Sequence, residues 1–205
     1  LSFTPAKFNI GDKTYYSDSN GVIQTGWETI GSKKYYFLAD GVAATGWNKL
    51  DNKWYYFNED STMRTNDFAE DNGQKYYLGD DGVMVTDNWV EYKDKWYHLS
   101  SSGAMEESKW IEYKDKWYYV DESGVMLSEE WLTYQGSKYY FNKDGSMHTG
   151  WLETGWYKYY YFDTSGKPLT GLIISDGKYY FLPHYETYSG ICYNKDVFKE
   201  YKLYI

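Results

Sequence analysis

An all-β solenoid of stacked hairpins is the fold this sequence predicts, and three observations predict it. The five methionines, Met63, Met84, Met105, Met126 and Met147, stand at a constant interval of 21 residues. A second marker keeps the same time: Trp27, Trp47, Phe68, Trp89, Trp110, Trp131, Trp151 and Leu172 follow one another by 20 or 21. Each interval holds a short aromatic run, such as KKYYF (Lys33 to Phe37), KWYYF (Lys53 to Phe57), KWYYV (Lys116 to Val120) or SKYYF (Ser137 to Phe141). A fixed period of this length marks a repeat array, in which no copy buries its apolar face alone and neighbours must supply the cover.

Each copy reads as Gly-Trp or a variant, a few polar residues, a turn, the aromatic run, and then an Asp/Ser-Gly step. Short alternating runs broken by such turn pairs predict hairpins. The inner turn is placed at Asp51-Asn52 in one copy and Gly136-Ser137 in another, while Asp40-Gly41, Asp81-Gly82, Ser123-Gly124 and Asp144-Gly145 lead into the next copy. A lone two-stranded hairpin is marginal in water, so the copies must stack. Strand alternation puts Trp54 and Tyr56 on one face and Tyr55 and Phe57 on the other. Methionine, flexible and polarizable, suits the gap between rings of adjacent copies.

The array is bounded at 26–182, with a partial copy in 1–25 and a cap over the last exposed face in 183–205, where the repeat is lost. That tail is a less favoured candidate for homodimerisation. The stretch TGWYKYYYF (Thr154 to Phe162) inserts a residue and an extra Trp156, read as a longer hairpin turn or a further binding ring.

Composition agrees with a fold built to hold rings. The 205 residues contain 28 Leu, Ile and Val against 46 Phe, Trp and Tyr. Low aliphatic content with a net charge of -9 would suit a disordered chain, but disordered chains are poor in aromatics, so this one folds. The acidic balance without a Lys/Arg cluster argues against a nucleic-acid partner. No apolar run approaches 18 residues, which argues against membrane insertion, and Leu1 to Ile10 is not a signal peptide. The single Cys192 excludes an internal disulfide framework. No catalytic constellation, metal-ligand spacing or cofactor motif is present. His98, His148 and His184 read as surface histidines, and the pairs Glu106-Glu107 and Glu129-Glu130 as solvated carboxylates between copies.

The copies differ at one informative place. Seven residues after the first Trp stands a second one at Trp54, Trp96 and Trp117, whereas Lys34, Lys75 and Lys138 take that place elsewhere. A position that accepts Lys is not required for stacking, so its indole is accessible and free for another use. Two indoles of one hairpin with a tyrosine of the next make three walls whose π faces are all negative. Such walls suit a methylated ammonium, which has no hydrogen bond to lose on leaving water, at ~0.5–2 kcal/mol per face.

The segments GWNKLDNKWYYFNEDSTMRT (Gly46 to Thr65) and WIEYKDKWYYVDESGVMLSEEW (Trp110 to Trp131) resemble the choline-binding repeats of Gram-positive surface proteins and cell-wall lysins, over about 25–182. The resemblance implies a solenoid that holds choline between consecutive copies, with two Trp from one, a Tyr from the next and a Met as fourth wall. Carried over by position, the cages are Trp47, Trp54, Tyr77 and Met84; Trp89, Trp96, Tyr119 and Met126; and Trp110, Trp117, Tyr140 and Met147. It further implies choline-decorated teichoic acid as partner, a place outside the cell at its surface or wall, no cofactor, and a non-catalytic binding part of a larger surface protein or lysin. Lys34, Lys75 and Lys138, Phe68 in place of Trp, and Tyr97-His98 depart from the pattern and predict weak or empty interfaces. The Lys-bearing copies, such as GWETIGSKKYYFLADGVAATG (Gly26 to Gly46), look more like the carbohydrate-binding repeats of clostridial toxins and glucan-binding enzymes. Carbohydrate binding is therefore the alternative, with Lys34, Lys75 and Lys138 bonding hydroxyls; a spacer with every ring buried is a third reading.

Overall fold

In the computed structural model, which describes residues 4–154, 159–182 and 193–194, the strands form nine antiparallel hairpins. The chain divides into two compact units, Leu1–Glu107 and Ser108–Ile205. The first holds β1 (Ala6–Ile10) with β2 (Lys13–Ser17), β3 (Gly26–Ile30) with β4 (Lys33–Phe37), β5 (Gly46–Leu50) with β6 (Lys53–Phe57), β7 (Asp67–Asp71) with β8 (Gln74–Leu78), and β9 (Asn88–Tyr92) with β10 (Lys95–Leu99). The second holds β11 (Lys109–Tyr113) with β12 (Lys116–Val120), β13 (Trp131–Tyr134) with β14 (Ser137–Tyr140), β15 (Gly150–Glu153) with β16 (Tyr159–Phe162), and β17 (Gly171–Ser175) with β18 (Lys178–Leu182). Each unit is thus a solenoid of stacked hairpins.

Two-residue turns with positive φ at both positions close six of the hairpins, which matches the right-handed twist of the flanking strands. Asp51 and Asn52 (φ 47° and 62°), Lys93 and Asp94 (52° and 60°) and Lys114 and Asp115 (50° and 61°) show this conformation. The turn expected at Gly136-Ser137 falls instead on Gln135 and Gly136 (49° and 77°), because Ser137 already pairs with Tyr134. The first copy, expected to be partial, forms a complete hairpin in which Lys7 stands at the Trp position, opposite Tyr16.

Within each unit the core is built from the apolar residue that ends successive aromatic runs. Phe37, Phe57, Leu78 and Leu99 in the first unit, and Val120, Phe141 and Phe162 in the second, are all at most 1% exposed. Burying each contributes about 1.5–3 kcal/mol, and the contribution depends on the neighbouring copy as cover. After each hairpin a turn brings the chain back along its own second strand, bridging Phe57 to Met63 and Leu78 to Met84. The same segment ties copies together: the amide of Met84 donates to Trp54 O at 2.8 Å, and that of Met105 to Lys75 O at 2.8 Å. The recurring Asp-Gly step has a steric cause. Gly82 has φ +82°, and a Cβ there would lie 2.5 Å from Met63 Sδ of the preceding copy.

The readings of Trp156, His184, Cys192 and the tail lie outside the described residues, apart from β19 (Tyr193–Asn194), which pairs with β18. The surface reading of His98 is corrected. His98 is 5% exposed because it occupies the cross-strand place opposite Trp89, filled by tyrosine in other copies. Its Nδ1 lies 2.7 Å from Glu106 Oε2, so Glu106 is drawn in as well, its side chain 12% exposed. Glu107, Glu129 and Glu130 are exposed.

Candidate ligand-binding site

Hairpins stack front to back. The forward face of one carries its first Trp, its second Trp and the tyrosine paired with the first. The rear face of the next carries the other tyrosine of its run and the buried core residue. Trp47 therefore meets Trp54 (ring centroids 6.3 Å apart, planes at 87°) and Tyr56 (5.2 Å) in its own hairpin, and Tyr76 (5.3 Å, 77°) in the next. Trp47, Trp54 and Tyr76 line a cavity of about 280 Å³ together with Met84, Asp71 and Ser102.

The second unit repeats the arrangement. Trp110 lies 6.4 Å from Trp117 at 74° and 4.9 Å from Tyr139 at 68°. These three rings and Met147 line a cavity of about 320 Å³, with Thr164 and Ser165 at its edge. In both cavities the walls come from three consecutive copies: two Trp from one, Tyr and Met from the next, and a turn hydroxyl from the third.

Two tyrosines carried over from the family are displaced by one residue. The ring facing Trp47 and Trp54 is Tyr76, not Tyr77, and the ring facing Trp110 and Trp117 is Tyr139, not Tyr140. A shift of one along a strand moves a side chain to the opposite face. Tyr77 packs against Phe68 at 5.1 Å and is 7% exposed; Tyr140 packs on Trp131 at 5.2 Å. Tyr119 likewise serves its own hairpin, 5.4 Å from Trp110 and 9% exposed. Burial raises the phenol pKa of both Tyr77 and Tyr119 above its ordinary 10.0. Of the remaining expected set, Trp89 and Trp96 belong to the first unit and Met126 to the second.

The second Trp is accessible, as its exchange with Lys implies: Trp54, Trp96 and Trp117 are 40, 42 and 42% exposed. Where Lys34 and Lys138 replace it, the first indole loses its cover, and Trp27 and Trp131 become 42 and 41% exposed. Trp27 still faces Tyr55 at 5.0 Å, and Trp131 faces Tyr160 at 5.0 Å, so those interfaces lack one wall. The Phe68 interface is filled from within. Tyr92 packs on Phe68 at 5.3 Å and its hydroxyl donates to Asp67 Oδ1 at 2.7 Å.

One interface carries a cation of its own. Lys7 holds its ammonium 4.6 Å from the ring centroid of Tyr35, the counterpart of Tyr76. The tyrosine that faces back from each copy is thus placed to receive a positive charge.

Hairpins stacked so that aromatic cages open between successive copies define a repeat-built ligand-binding module. The model of the choline-binding repeat matches residues 24–68 and 65–110, and that of a cell wall binding repeat matches 8–23, 108–126 and 129–147. A comparison with curated protein sequences finds no match. Among solved structures, the choline-binding domain of CbpL from Streptococcus pneumoniae is similar at TM-score 0.69 and 27% identity, over 88% of this chain and 94% of that one. CbpJ from Streptococcus pneumoniae TIGR4 is similar at 0.68 and 25%, over 93% of this chain and 70% of that one. Choline binding protein F from Streptococcus pneumoniae is similar at 0.64 and 31%, over 87% of this chain but only 61% of that one. The chain belongs to the choline-binding repeat family.

Proposed function

We propose that the chain is a non-catalytic cell-wall-binding module that cages the trimethylammonium group of choline between consecutive copies. The observation that carries this reading is the recurrence of one cage at corresponding positions: Trp47, Trp54, Tyr76 and Met84 in the first unit, and Trp110, Trp117, Tyr139 and Met147 in the second. Rings at steep angles present π faces to one space, and a cation there gains from several quadrupoles at once. At ~0.5–2 kcal/mol per face, three walls give a few kcal/mol, or about millimolar affinity per cage.

Weak cages repeated on one chain suit a polymer that displays choline repeatedly, since after the first contact the second is intramolecular. Choline-decorated teichoic acid is such a polymer, and binding it would anchor the chain, and any domain joined to it, at the surface of a Gram-positive cell. The net charge of -9 favours a cationic group over an anionic one.

Retention on a tertiary or quaternary amine resin in high salt, with release by free choline, is the expected result; a chain that passes through unretained overturns the reading. Trp54→Lys and Trp117→Lys should each remove one site, counted by calorimetric stoichiometry, while far-UV dichroism stays unchanged. Lys already stands at that position in three copies, at Lys34, Lys75 and Lys138, so the fold accepts it. Loss of the fold in these variants would instead mark the indoles as core.

A further inference from the structure

Arg64 and His148 hold the same place in different copies, directly after Met63 and Met147. At each, one side chain ties a hairpin to the next. Arg64 donates from Nε to Asn58 Oδ1 at 2.9 Å and from Nη1 to the carbonyl of Phe68 at 2.6 Å. His148 sets Nδ1 2.7 Å from Asn142 Oδ1 and Nε2 2.9 Å from the carbonyl of Trp151. Phe68 and Trp151 are the first rings of β7 and β15, so both side chains reach the equivalent carbonyl of the following hairpin. Val85 and Leu127 stand at this place in other copies and carry no side-chain donor.

The surroundings fix where the protons of His148 lie. The Ser146 hydroxyl at 2.5 Å and the Lys116 ammonium at 2.9 Å both donate to Asp144, and they hold its carboxyl below the ordinary value, so it only accepts. With its one hydrogen given to Asp144, Ser146 Oγ accepts from Asn142 Nδ2 at 3.0 Å. Asn142 therefore turns its oxygen, an acceptor, to His148 Nδ1. The Trp151 carbonyl is an acceptor as well. Both ring nitrogens must donate, and only the imidazolium donates from both. The same chain runs from Arg64 through Asn58 Nδ2 and Thr62 Oγ1 to Asp60, headed there by a group that is always charged.

We infer that His148 is a pH-gated clamp between the hairpins β13–β14 and β15–β16, doing with a removable proton what Arg64 does permanently. Once the proton leaves, one of the two bonds becomes a contact between lone pairs. The fold favours the charged ring, so the clamp is closed at acid pH and loosens as pH rises through about 5–8, where histidine changes charge. What it grips is the surround of Trp131. The His148 ring lies 6.1 Å from Tyr140 and 5.5 Å from Phe162, which pack on Trp131 at 5.2 and 5.8 Å. The charged groups on the elements packed against it are Lys138 on β14, Glu153 on β15 and Asp163 after β16, with Asp144 and Lys116 reached through Asn142 and Ser146. The inference stands whatever the cages bind.

The test is hydrogen exchange of the full chain, read at the amides of β15 and β16 between pH 5.5 and pH 8 and corrected for the intrinsic base-catalysed rate. Local opening in the wild type should increase about tenfold over this range, as expected for losing one charge-assisted hydrogen bond. In His148→Arg the opening should stay low at both pH values. In His148→Leu it should be the same at both. The fold accepts either residue, since Arg64 and Leu127 already stand at the corresponding place. His98 and His184 remain in every variant, so their titration cancels from the comparison. A wild type whose opening does not change with pH, or a pH dependence that persists in either variant, overturns the clamp.

Discussion

The two cages invite direct comparison, because every wall of the first has its counterpart 63 positions later: Trp47 and Trp110, Trp54 and Trp117, Tyr76 and Tyr139, Met84 and Met147. Their surroundings differ in charge. Across the hairpin from Trp54 stands Lys49, with its ammonium 5.9 Å from the indole centroid; across from Trp117 stands Glu112. The first cage also has Asp71 in its lining, where the second unit has Tyr134, a ring 6.0 Å from Trp110. The rings that make a cage are thus held constant while the charges around it vary. One cage carries a competing cation behind a wall and a carboxylate in its lining; the other has an acid behind the wall.

The largest expected effect breaks one cage and spares the other. Gly103 has φ +85°, and a Cβ there would lie 2.6 Å from Met84 Cε. Gly103→Ala combines backbone strain with overpacking and should cost about 1–3 kcal/mol in urea unfolding. It should also weaken the first cage while the second binds as before.

A gain of function comes next. The interface of Trp27, Tyr55 and Met63 lacks only its second indole, so Lys34→Trp should add one choline site to the calorimetric stoichiometry. An unchanged count would show that two Trp and a Tyr do not suffice.

Charge exchange is smaller. Lys49→Glu should strengthen choline binding at the first cage about threefold at low ionic strength, and the gain should shrink at 1 M salt, where the Debye length is about 3 Å.

The smallest effect is a pH difference. The Ser146 hydroxyl and the Lys116 ammonium hold the Asp144 carboxyl at about 2, below its ordinary 3.8. A depressed folded-state pKa contributes stability that is fully present above about pH 4 and is lost as pH falls through about 2. Unfolding midpoints measured at pH 5 and pH 2.5 should therefore converge slightly in Asp144→Asn. The contribution is small, since both partners of the Lys116–Asp144 pair are 54% exposed and solvent screens them.

The fold was readable in the sequence because its determinants are periodic and local. Methionine spacing, turn pairs and strand alternation are properties of one copy that other copies restate. The indoles and methionines that line the two cavities are among those expected from the sequence, where the exchange of Trp with Lys marks an accessible place. The tyrosine wall was misplaced at Tyr77 and Tyr140, although strand alternation already put the two tyrosines of each run on opposite faces. Which face turns back toward the preceding copy is decided by stacking, and stacking is a relation between hairpins that the spacing within one does not state. His98 and Glu106 were misread for a related cause. His98 replaces a tyrosine opposite Trp89, and a polar residue in a ring's place keeps the ring's burial and needs a partner, which Glu106 supplies. Asp71 left a faint signal, an acid at a strand end where Ile30, Leu50, Tyr92, Tyr113 and Tyr134 stand in other copies.

Because each cage takes its lining from three successive copies, copy number and valency do not rise from the same origin. Two copies supply the four walls of one cage and a third adds the hydroxyl at its edge; from there each internal duplication that preserves the second Trp repeats the whole set without altering those already present. Loss of a middle copy is no simple subtraction, for it brings together walls that had served different neighbours. If the cages hold choline as proposed, an array grown by duplication raises its hold on a polymer one step at a time, while single Trp-to-Lys exchanges silence steps without shortening the chain.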